Sequence, residues 1–172
     1  RGCPYSCHYC INEYLQKAYN NKGKFHRQKS AQRMINEIIT FNNYLKADHI
    51  QFVDDMFLAL SSSKLKEFSN AYKKNISSNS VVMARPESIS KDKIEILKEI
   101  NCVMILVGLE SGNERIRKEL CNRHMDELTI LKARDLLKTN NIKISTYNMI
   151  GFPDESRMNI FETIELNRKL KP

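Results

Sequence analysis

Three cysteines within the first ten residues constrain this chain more than any other feature. They stand at positions 3, 7 and 10 of the opening string RGCPYSCHYC, and the remaining two of the five cysteines, Cys102 and Cys121, lie far apart. An odd, clustered set of cysteines argues against a disulfide framework. It indicates thiolates that are free to bind metal in a reducing compartment, which we expect to be the cytoplasm.

Thiolates at this spacing suit an iron–sulfur cluster. Iron accepts soft thiolate ligands, and a 4Fe–4S cubane is closed by four of them. Since no fourth cysteine lies nearby, Cys3, Cys7 and Cys10 would leave one iron open for a substrate. Zinc is the alternative, because His8 or His26 would complete a Cys-Cys-Cys-His set. The cluster is the favoured interpretation, and a zinc-stapled binding module stays open beside it.

Apolar runs alternate with amphipathic stretches along the rest of the chain. The runs at 49–53, 80–84, 102–107 and 142–150 predict strands. Helices are predicted at 30–44, 63–74, 90–100, 114–120, 126–138 and from about 155, with Ser30, Ser63 and Ser90 as N-caps. This alternation predicts a parallel sheet with right-handed crossovers. Polar and glycine residues follow the strands, as at the catalytic face of an α/β barrel or an open doubly wound sheet.

Length and charge favour a single globular domain over a membrane or nucleic-acid-binding protein. The 172 residues fit one domain, and no apolar run approaches the roughly 18 residues of a membrane span. The net charge is +8, but Lys and Arg are mixed with Asp and Glu along helical stretches. Solvated helix faces are therefore favoured over a nucleic-acid patch. Because the chain begins on a motif without an initiator Met, we expect residues 1–172 to be one domain cut from a longer protein.

The cysteine string resembles the signature loop of the radical S-adenosylmethionine superfamily, Cys-x-x-x-Cys-x-aromatic-Cys. Residues 52–57 resemble its acidic turn after the second strand, 107–112 its fourth-strand motif, and 148–155 its fifth-strand glycine motif. The Glu-Ser-Gly and Gly-Phe-Pro strings resemble the branch that often carries an upstream cobalamin-binding domain. The resemblance implies a partial parallel (β/α) barrel, truncated at both ends, with about four strands present.

The same resemblance implies a function. A 4Fe–4S cluster on Cys3, Cys7 and Cys10 would bind S-adenosylmethionine at its open iron and cleave it reductively to a 5′-deoxyadenosyl radical. The partners would be a low-potential electron donor and a substrate that the sequence does not identify, with cobalamin a possible cofactor of the longer protein. No catalytic residue is assigned, and an inactive relative that folds without cleaving the cofactor is a further alternative.

The resemblance also implies roles for residues near the first two strand ends. Tyr9 takes the aromatic position that lies against the adenine. Asp54 and Asp55 would accept hydrogen bonds from the methionyl ammonium group, with paired turn or capping acids as the alternative. Arg85 would pair with the methionyl carboxylate or a substrate acid, with a salt bridge to Glu87 or Asp55 as the alternative.

Two later strand ends supply the remaining candidates. Glu110 and Ser111 would lie near the ribose and the methionine, because a carboxylate ending a buried strand must find donors; a helix-capping acid is the alternative. Gly151 would let the backbone approach the adenine ring closely, with Met149 or Ile150 as a wall. Core packing explains Met149 and Ile150 nearly as well.

Overall fold

Four parallel strands form one open sheet in the computed structural model, which describes residues 2–172. In chain order they are β1 (His49–Gln51), β2 (Asn79–Ala84), β3 (Cys102–Glu110) and β4 (Lys143–Asn148). Their order in the sheet is the same, β1-β2-β3-β4, and each neighbouring pair is parallel. A sheet whose strand order never reverses curls in one direction, and the four described strands do not close this sheet into a barrel. The predicted α/β partial barrel is therefore confirmed.

Helices connect and flank the strands as the alternation predicted. They are α1 (Ile11–Ala18), α2 (Ala31–Leu45), α3 (Ser62–Asn75), α4 (Lys91–Glu99), a π-helix (Ile116–Leu120), α5 (Glu127–Thr139) and α6 (Arg157–Leu170). Helix α1, which directly follows the third cysteine, has no counterpart among the predicted helices. No helix within residues 2–172 is long and apolar enough to cross a membrane.

The predicted caps had different outcomes. Ser30 caps α2, and its hydroxyl accepts the Arg33 N–H at 3.3 Å, as N-cap serines do. Ser90 takes the N-cap position of α4 without a side-chain cap bond. The prediction for Ser63 was wrong, because α3 begins one residue earlier and its N-cap is Ser61. The hydroxyls of Ser61 and Ser63 contact each other at 3.1 Å instead.

The main core lies between the sheet and the helices α2 to α5. Alternate residues of a strand face opposite sides of the sheet, and Ile105 and Val107 of β3 point into this core with almost no exposed surface. In this core the ring of Phe57 packs edge-on against Phe68 of α3, and the ring of Phe68 packs at a tilt against Tyr72 of the same helix. The opposite face of β3 carries Leu106, Gly108 and Glu110, which line a cavity instead.

Candidate metal and cofactor site

Cys3, Cys7 and Cys10 line one cavity at the carboxyl edge of the sheet. Its volume is about 350 Å³. The loop holding the cysteines covers the strand ends, and the wall behind it comes from the ends of three strands and the turn after β1. These lining residues include Asp54, Asp55, Met56, Met83, Ala84, Arg85, Leu106, Gly108, Glu110 and Tyr147. The sequence prediction that polar residues at successive strand ends meet at one edge is therefore confirmed.

Hydrogen bonds hold the cysteine loop in shape. The Cys10 N–H donates to the Cys7 carbonyl at 3.0 Å, and α1 starts directly after Cys10. From α1, the Gln16 side-chain amide donates to the carbonyls of Cys3 at 2.8 Å and Tyr5 at 2.9 Å. A helix that follows the third cysteine thus reaches back to anchor the first.

Two nitrogen donors face the cysteine sulfurs. Arg85 Nη1 lies 3.8 Å from Cys7 Sγ, and Asn12 Nδ2 lies 3.6 Å from Cys10 Sγ. The third thiol, Cys3, is buried, and burial raises its pKa, with smaller contributions from the neighbouring Cys7 and Asp55. Nitrogen donors beside a sulfur stabilise the negatively charged thiolate form. The surroundings of the loop therefore suit a metal group that cysteine thiolates would bind.

Arg85 is a buried cation between the loop and the β2 end. Its guanidinium carbon lies 4.0 Å from the centroid of the Tyr5 ring, a cation–π contact. Its Nε lies 2.6 Å from Glu87 Oε1, but the N–H does not point along that line, so this contact is an ion pair without a well-formed hydrogen bond. The salt bridge weighed for Arg85 in the sequence is therefore present. Nη1 remains directed at Cys7.

Glu110 joins the cysteine loop to a buried arginine. Its Oε1 accepts from the Tyr9 hydroxyl at 2.7 Å and from Arg123 Nη1 at 2.6 Å. Glu110 has a backbone φ of +67°, at an irregularity in the β3–β4 register next to Gly108. Such a bulge re-aims a side chain, and here the carboxylate reaches the cavity. A Cβ at position 108 would lie 2.4 Å from Oε1, so glycine leaves the space that the carboxylate occupies.

The electrostatics of this network follow from burial. Burial, the hydrogen bond to Glu110 and its negative charge together raise the pKa of Tyr9 well above its usual range, so the hydroxyl stays a donor. Burial alone would lower the pKa of Arg123, but the facing Tyr9 and Glu110 raise it, and the guanidinium stays charged. The pair of Glu110 and Arg123 is thus a buried ion pair with a neutral phenol attached.

Asp54 and Asp55 both line the cavity beside Cys3 and Met56. Asp54 is half-buried and Asp55 is exposed. Asp54 also borders a second, mostly apolar cavity that Phe52 and Phe57 line. Both acids that the sequence analysis assigned to the methionyl ammonium group thus line the cavity, and their role toward a ligand stays a prediction.

Ser111 lies behind the cavity. Its hydroxyl is fully buried, accepts the Asn113 N–H at 3.1 Å and lies 3.5 Å from the Thr163 hydroxyl of α6. Gly112 makes this packing possible, because a Cβ there would lie 2.2 Å from the Glu162 carbonyl oxygen. In the described structure Ser111 supports the turn after β3 and does not line the cysteine cavity.

Residues 149–151 form the turn after β4, outside the lining of the cysteine cavity. The Met149 N–H donates to the Glu110 carbonyl at 2.8 Å, which ties this turn to β3. Ile150 is 71% exposed. Gly151 has φ +91° with open space around it, and its N–H donates to the Glu155 carboxylate at 2.6 Å. The turn leaves room for a ligand, and the adenine role of these residues stays a prediction.

Arg123 is the site residue that the sequence did not predict. It is 2% exposed and lies 13 positions after Glu110, beyond the π-helix. In the sequence, Arg123 stands between the polar residues Asn122 and His124, so the local pattern is that of a surface turn. Only the path of the chain after β3 turns it inward. Asn12, whose amide faces Cys10, was missed for a different reason: it lies in α1, a helix that the sequence analysis did not predict.

The donor set around the cavity fits an iron–sulfur cluster better than a zinc ion. His8 is exposed, the ring of His26 contacts Gln28 at 3.4 Å, and neither lines the cavity. Across residues 2–172, no three Cys, His, Asp or Glu side chains converge closely enough to hold a single ion. A cubane takes each cysteine on a different iron, so its ligands surround a space rather than meet at a point. Three thiols around one cavity match that requirement.

An open parallel sheet with a three-cysteine loop over its carboxyl edge defines the class of this protein: a partial α/β barrel whose open edge is covered by that loop. The sequence model of the Radical SAM superfamily matches residues 1–166. The chain belongs to the radical S-adenosylmethionine superfamily.

Two curated relatives align with almost the whole chain. The chain is 26% identical over 171 residues to an uncharacterized methyltransferase of Pyrococcus horikoshii, covering 99% of this chain and 36% of that protein. It is 25% identical over 178 residues to a tRNA-2-methylthio-N(6)-dimethylallyladenosine synthase of Caldicellulosiruptor saccharolyticus, with the same two coverages, 99% and 36%. The chain thus spans about a third of the curated relatives it matches.

The fold is shared with a solved radical S-adenosylmethionine methyltransferase, TsrM from Kitasatospora setae. That structure holds cobalamin and a [4Fe-4S] cluster. It superimposes with a TM-score of 0.77 at 13% identity, covering 99% of this chain and 33% of that one. At this identity the similarity establishes a common fold.

Proposed function

We propose that Cys3, Cys7 and Cys10 bind a 4Fe–4S cluster and that the chain uses it to cleave S-adenosylmethionine reductively. The single observation that carries the proposal is that all three thiols line one cavity with Arg85 and Glu110. When bound, the cluster would pass one electron to the sulfonium, so that the sulfur–C5′ bond breaks into methionine and a 5′-deoxyadenosyl radical. A low-potential electron donor in the cytoplasm would supply the electron.

Glu110 has a free acceptor for such a ligand. Its Oε1 is occupied by Tyr9 and Arg123, while no described residue donates to Oε2. A ribose hydroxyl or the methionyl ammonium group would be a suitable donor to Oε2, because hydrogen bonds to an ionised carboxylate are strong. Asp54 and Asp55 offer further carboxylates across the cavity for the ammonium group.

Apolar side chains would protect the chemistry from water. Met56, Met83 and Leu106 line the same cavity, and Met56 and Leu106 are buried. Their packing would keep water out of the cavity, and water exclusion strengthens the charged contacts inside. Tyr9 would lie against the adenine, and residues 149–151 would border it from the turn after β4.

The longer protein's reaction is proposed from its relatives. The two curated relatives are named as a methyltransferase and a methylthio-adenosine synthase. These names support transfer of a methyl or methylthio group as the reaction class. The cobalamin in TsrM supports cobalamin as a cofactor of the longer protein.

Anaerobic purification and reconstitution test the cluster. We expect about four irons and four sulfides per chain, a brown colour with broad absorbance near roughly 400 nm, and 5′-deoxyadenosine after addition of dithionite and S-adenosylmethionine. A variant with all three loop cysteines changed to Ala should lose iron, colour and product. Cys102→Ala is the matched control, because Cys102 is buried at the far end of β3.

Two other results would separate the alternatives. A colourless chain with one zinc and no reconstitutable iron would replace the cluster with the zinc-stapled module. A brown chain that yields no 5′-deoxyadenosine would leave a folded relative that does not cleave the cofactor.

A further inference from the structure

Residues 121–123, the turn after the π-helix, contact the cysteine loop at three points. The Cys121 carbonyl accepts the His8 N–H at 3.3 Å. The Asn122 amide donates to the Ser6 carbonyl at 2.8 Å and contacts the Ser6 hydroxyl at 3.3 Å. The third contact runs from Arg123 Nη1 to the Tyr9 hydroxyl at 3.4 Å. All three partners on the loop lie between Cys3 and Cys10, on either side of Cys7.

The turn itself is rigidly supported. Arg117 of the π-helix is 1% exposed, and its Nη1 donates to the carbonyls of Ser111 and Gly112 at 2.8 Å each. Its own carbonyl accepts the Arg123 N–H at 2.8 Å. A buried cation that satisfies several carbonyls fixes the chain path, because leaving any of these groups unpaired is costly.

Asn122 has the one left-handed backbone in the turn, with φ +54°. Asparagine adopts this conformation more readily than most residues. In this conformation the side-chain Nδ2 of Asn122 points at Ser6, and its side-chain Oδ1 lies 3.1 Å from the His124 ring nitrogen Nε2. Its side chain thus bridges the turn and the loop.

We propose that residues 121–123 form a clasp that positions the cysteine loop, with Asn122 as the positioning residue that fixes Ser6 and therefore Cys7. If the cysteine loop holds the proposed cluster, the clasp should also slow the loss of that cluster. Only this consequence rests on the proposed function. The clasp itself is a property of the chain with or without iron.

The first test uses the iron-free chain. N-ethylmaleimide labelling, read by mass spectrometry at each cysteine, reports how readily each thiol meets the reagent, and loosening of the loop would raise the rates of the half-buried Cys7 and Cys10. Asn122→Asp removes the amide that donates to the Ser6 carbonyl but keeps the shape of the side chain. Asn122→Gly removes the whole side chain and favours the left-handed backbone. Losing one such hydrogen bond should raise the labelling rates of Cys7 and Cys10 roughly two- to tenfold in both variants.

The control variants change an asparagine with the same backbone elsewhere. Asn141 has φ +56° and lies just before β4, at the opposite edge of the sheet. Asn141→Asp and Asn141→Gly should label as wild type. Buried Cys102 reports the global fold and should stay slow in every variant. Wild-type labelling of Cys7 and Cys10 in both Asn122 variants, or equal acceleration at Cys102, would overturn the clasp.

The second test separates the clasp from the cluster proposal. In the reconstituted chain, a chelator should remove iron roughly two- to tenfold faster from both Asn122 variants than from the Asn141 controls. A wild-type chain that never loads iron, but whose Asn122 variants label faster, would support the clasp and contradict the cluster. A chain that loads iron and loses it at one rate in all variants, with unchanged labelling, would contradict the clasp alone.

Discussion

Arg123 Nη1 lies 2.6 Å from Glu110 Oε1, and the Tyr9 hydroxyl donates to the same oxygen at 2.7 Å. Glu110 is 6% exposed and Arg123 2% exposed. This buried pair connects the end of the longest strand to the turn after the π-helix, and through Tyr9 to the cysteine loop. The stability of the domain and the shape of the proposed cofactor site therefore depend on the same contact.

Removal of Arg123 should be more damaging than removal of the Tyr9 hydroxyl. Arg123→Met leaves a buried carboxylate without its cation, which costs about 3–5 kcal/mol, whereas Tyr9→Phe loses one hydrogen bond to that carboxylate, about 1.5–3 kcal/mol. Urea unfolding of the single variants and of Arg123→Met with Glu110→Gln measures this. The double variant should recover part of the loss, and simple additivity would show that the pair is not coupled.

Gly108→Ala should affect the cofactor site more than the fold. Its Cβ would lie 2.4 Å from Glu110 Oε1 and 2.8 Å from Arg123 Nη1, both far ends of flexible side chains that can shift together, so that the ion pair is kept but the carboxylate leaves its place in the cavity. We expect at least roughly tenfold weaker binding of S-adenosylmethionine to the reconstituted chain, corresponding to the loss of about 1.4 kcal/mol. Equilibrium binding measures it.

Gly112→Ala is the contrasting variant. The new Cβ would meet the backbone of α6, 2.2 Å from the Glu162 carbonyl oxygen, and a helix backbone cannot move aside cheaply. Overpacking of this kind costs typically about 1–3 kcal/mol. Thermal unfolding should show a larger loss for Gly112→Ala than for Gly108→Ala; the reverse order would contradict the assignment of these two glycines.

Arg85 should raise the reduction potential of a cluster bound beside it. Its guanidinium contacts Cys7 Sγ at 3.8 Å, and a nearby positive charge favours the more negative, reduced cluster. Arg85→Gln should lower the potential by roughly 50–100 mV, on the order expected for one charge in a partly screened site. An electrochemical titration followed by electron paramagnetic resonance measures the shift.

Arg85→Lys keeps the charge and should retain most of the potential. Glu87→Gln serves as the second control, because it removes the ion pair at 2.6 Å without removing the cation beside Cys7. If Arg85→Gln leaves the potential unchanged, the contact to Cys7 has no electrostatic role.

The contact between α3 and α4 should make stability depend on acid pH. Glu99 of α4 accepts from Lys66 and Ser69 of α3 at 2.7 Å each, and these hydrogen bonds lower the pKa of its carboxyl group. A lowered folded pKa stabilises the protein above the unfolded pKa of about 4.3, and the stabilisation is lost as the pH falls through the folded value.

Glu99→Gln should remove this component of the pH dependence. We expect the free energy of unfolding at pH 7 to fall by about 0.5–1 kcal/mol, and the difference from wild type should vanish as the pH falls through the lowered pKa of Glu99. Glu95→Gln on the same helix is the control, since the Glu95 side chain is 68% exposed and should change little. A constant difference across the pH range would show that the carboxylate charge is not involved.

The sequence alone determined the fold class and the three-cysteine loop. Continuous apolar runs such as Cys102–Glu110 between amphipathic stretches require a parallel sheet with helical crossovers, because only that arrangement buries both faces of such strands. The spacing of Cys3, Cys7 and Cys10 is a local property, so it could be read without knowledge of the fold. The positions of Asp54, Asp55 and Arg85 followed from where strands end.

Only the tertiary structure decided which side chains reach the cavity. Glu110 and Ser111 are neighbours in the chain, yet a bulge and a positive φ send Glu110 toward the cysteines and Ser111 toward α6. Arg123 and Asn122 come to the loop because a buried Arg117 and a π-helix turn the chain back, more than a hundred residues after the cysteines. Such contacts depend on the geometry of every helix, strand and turn between the two residues. A local pattern of residues does not contain that information.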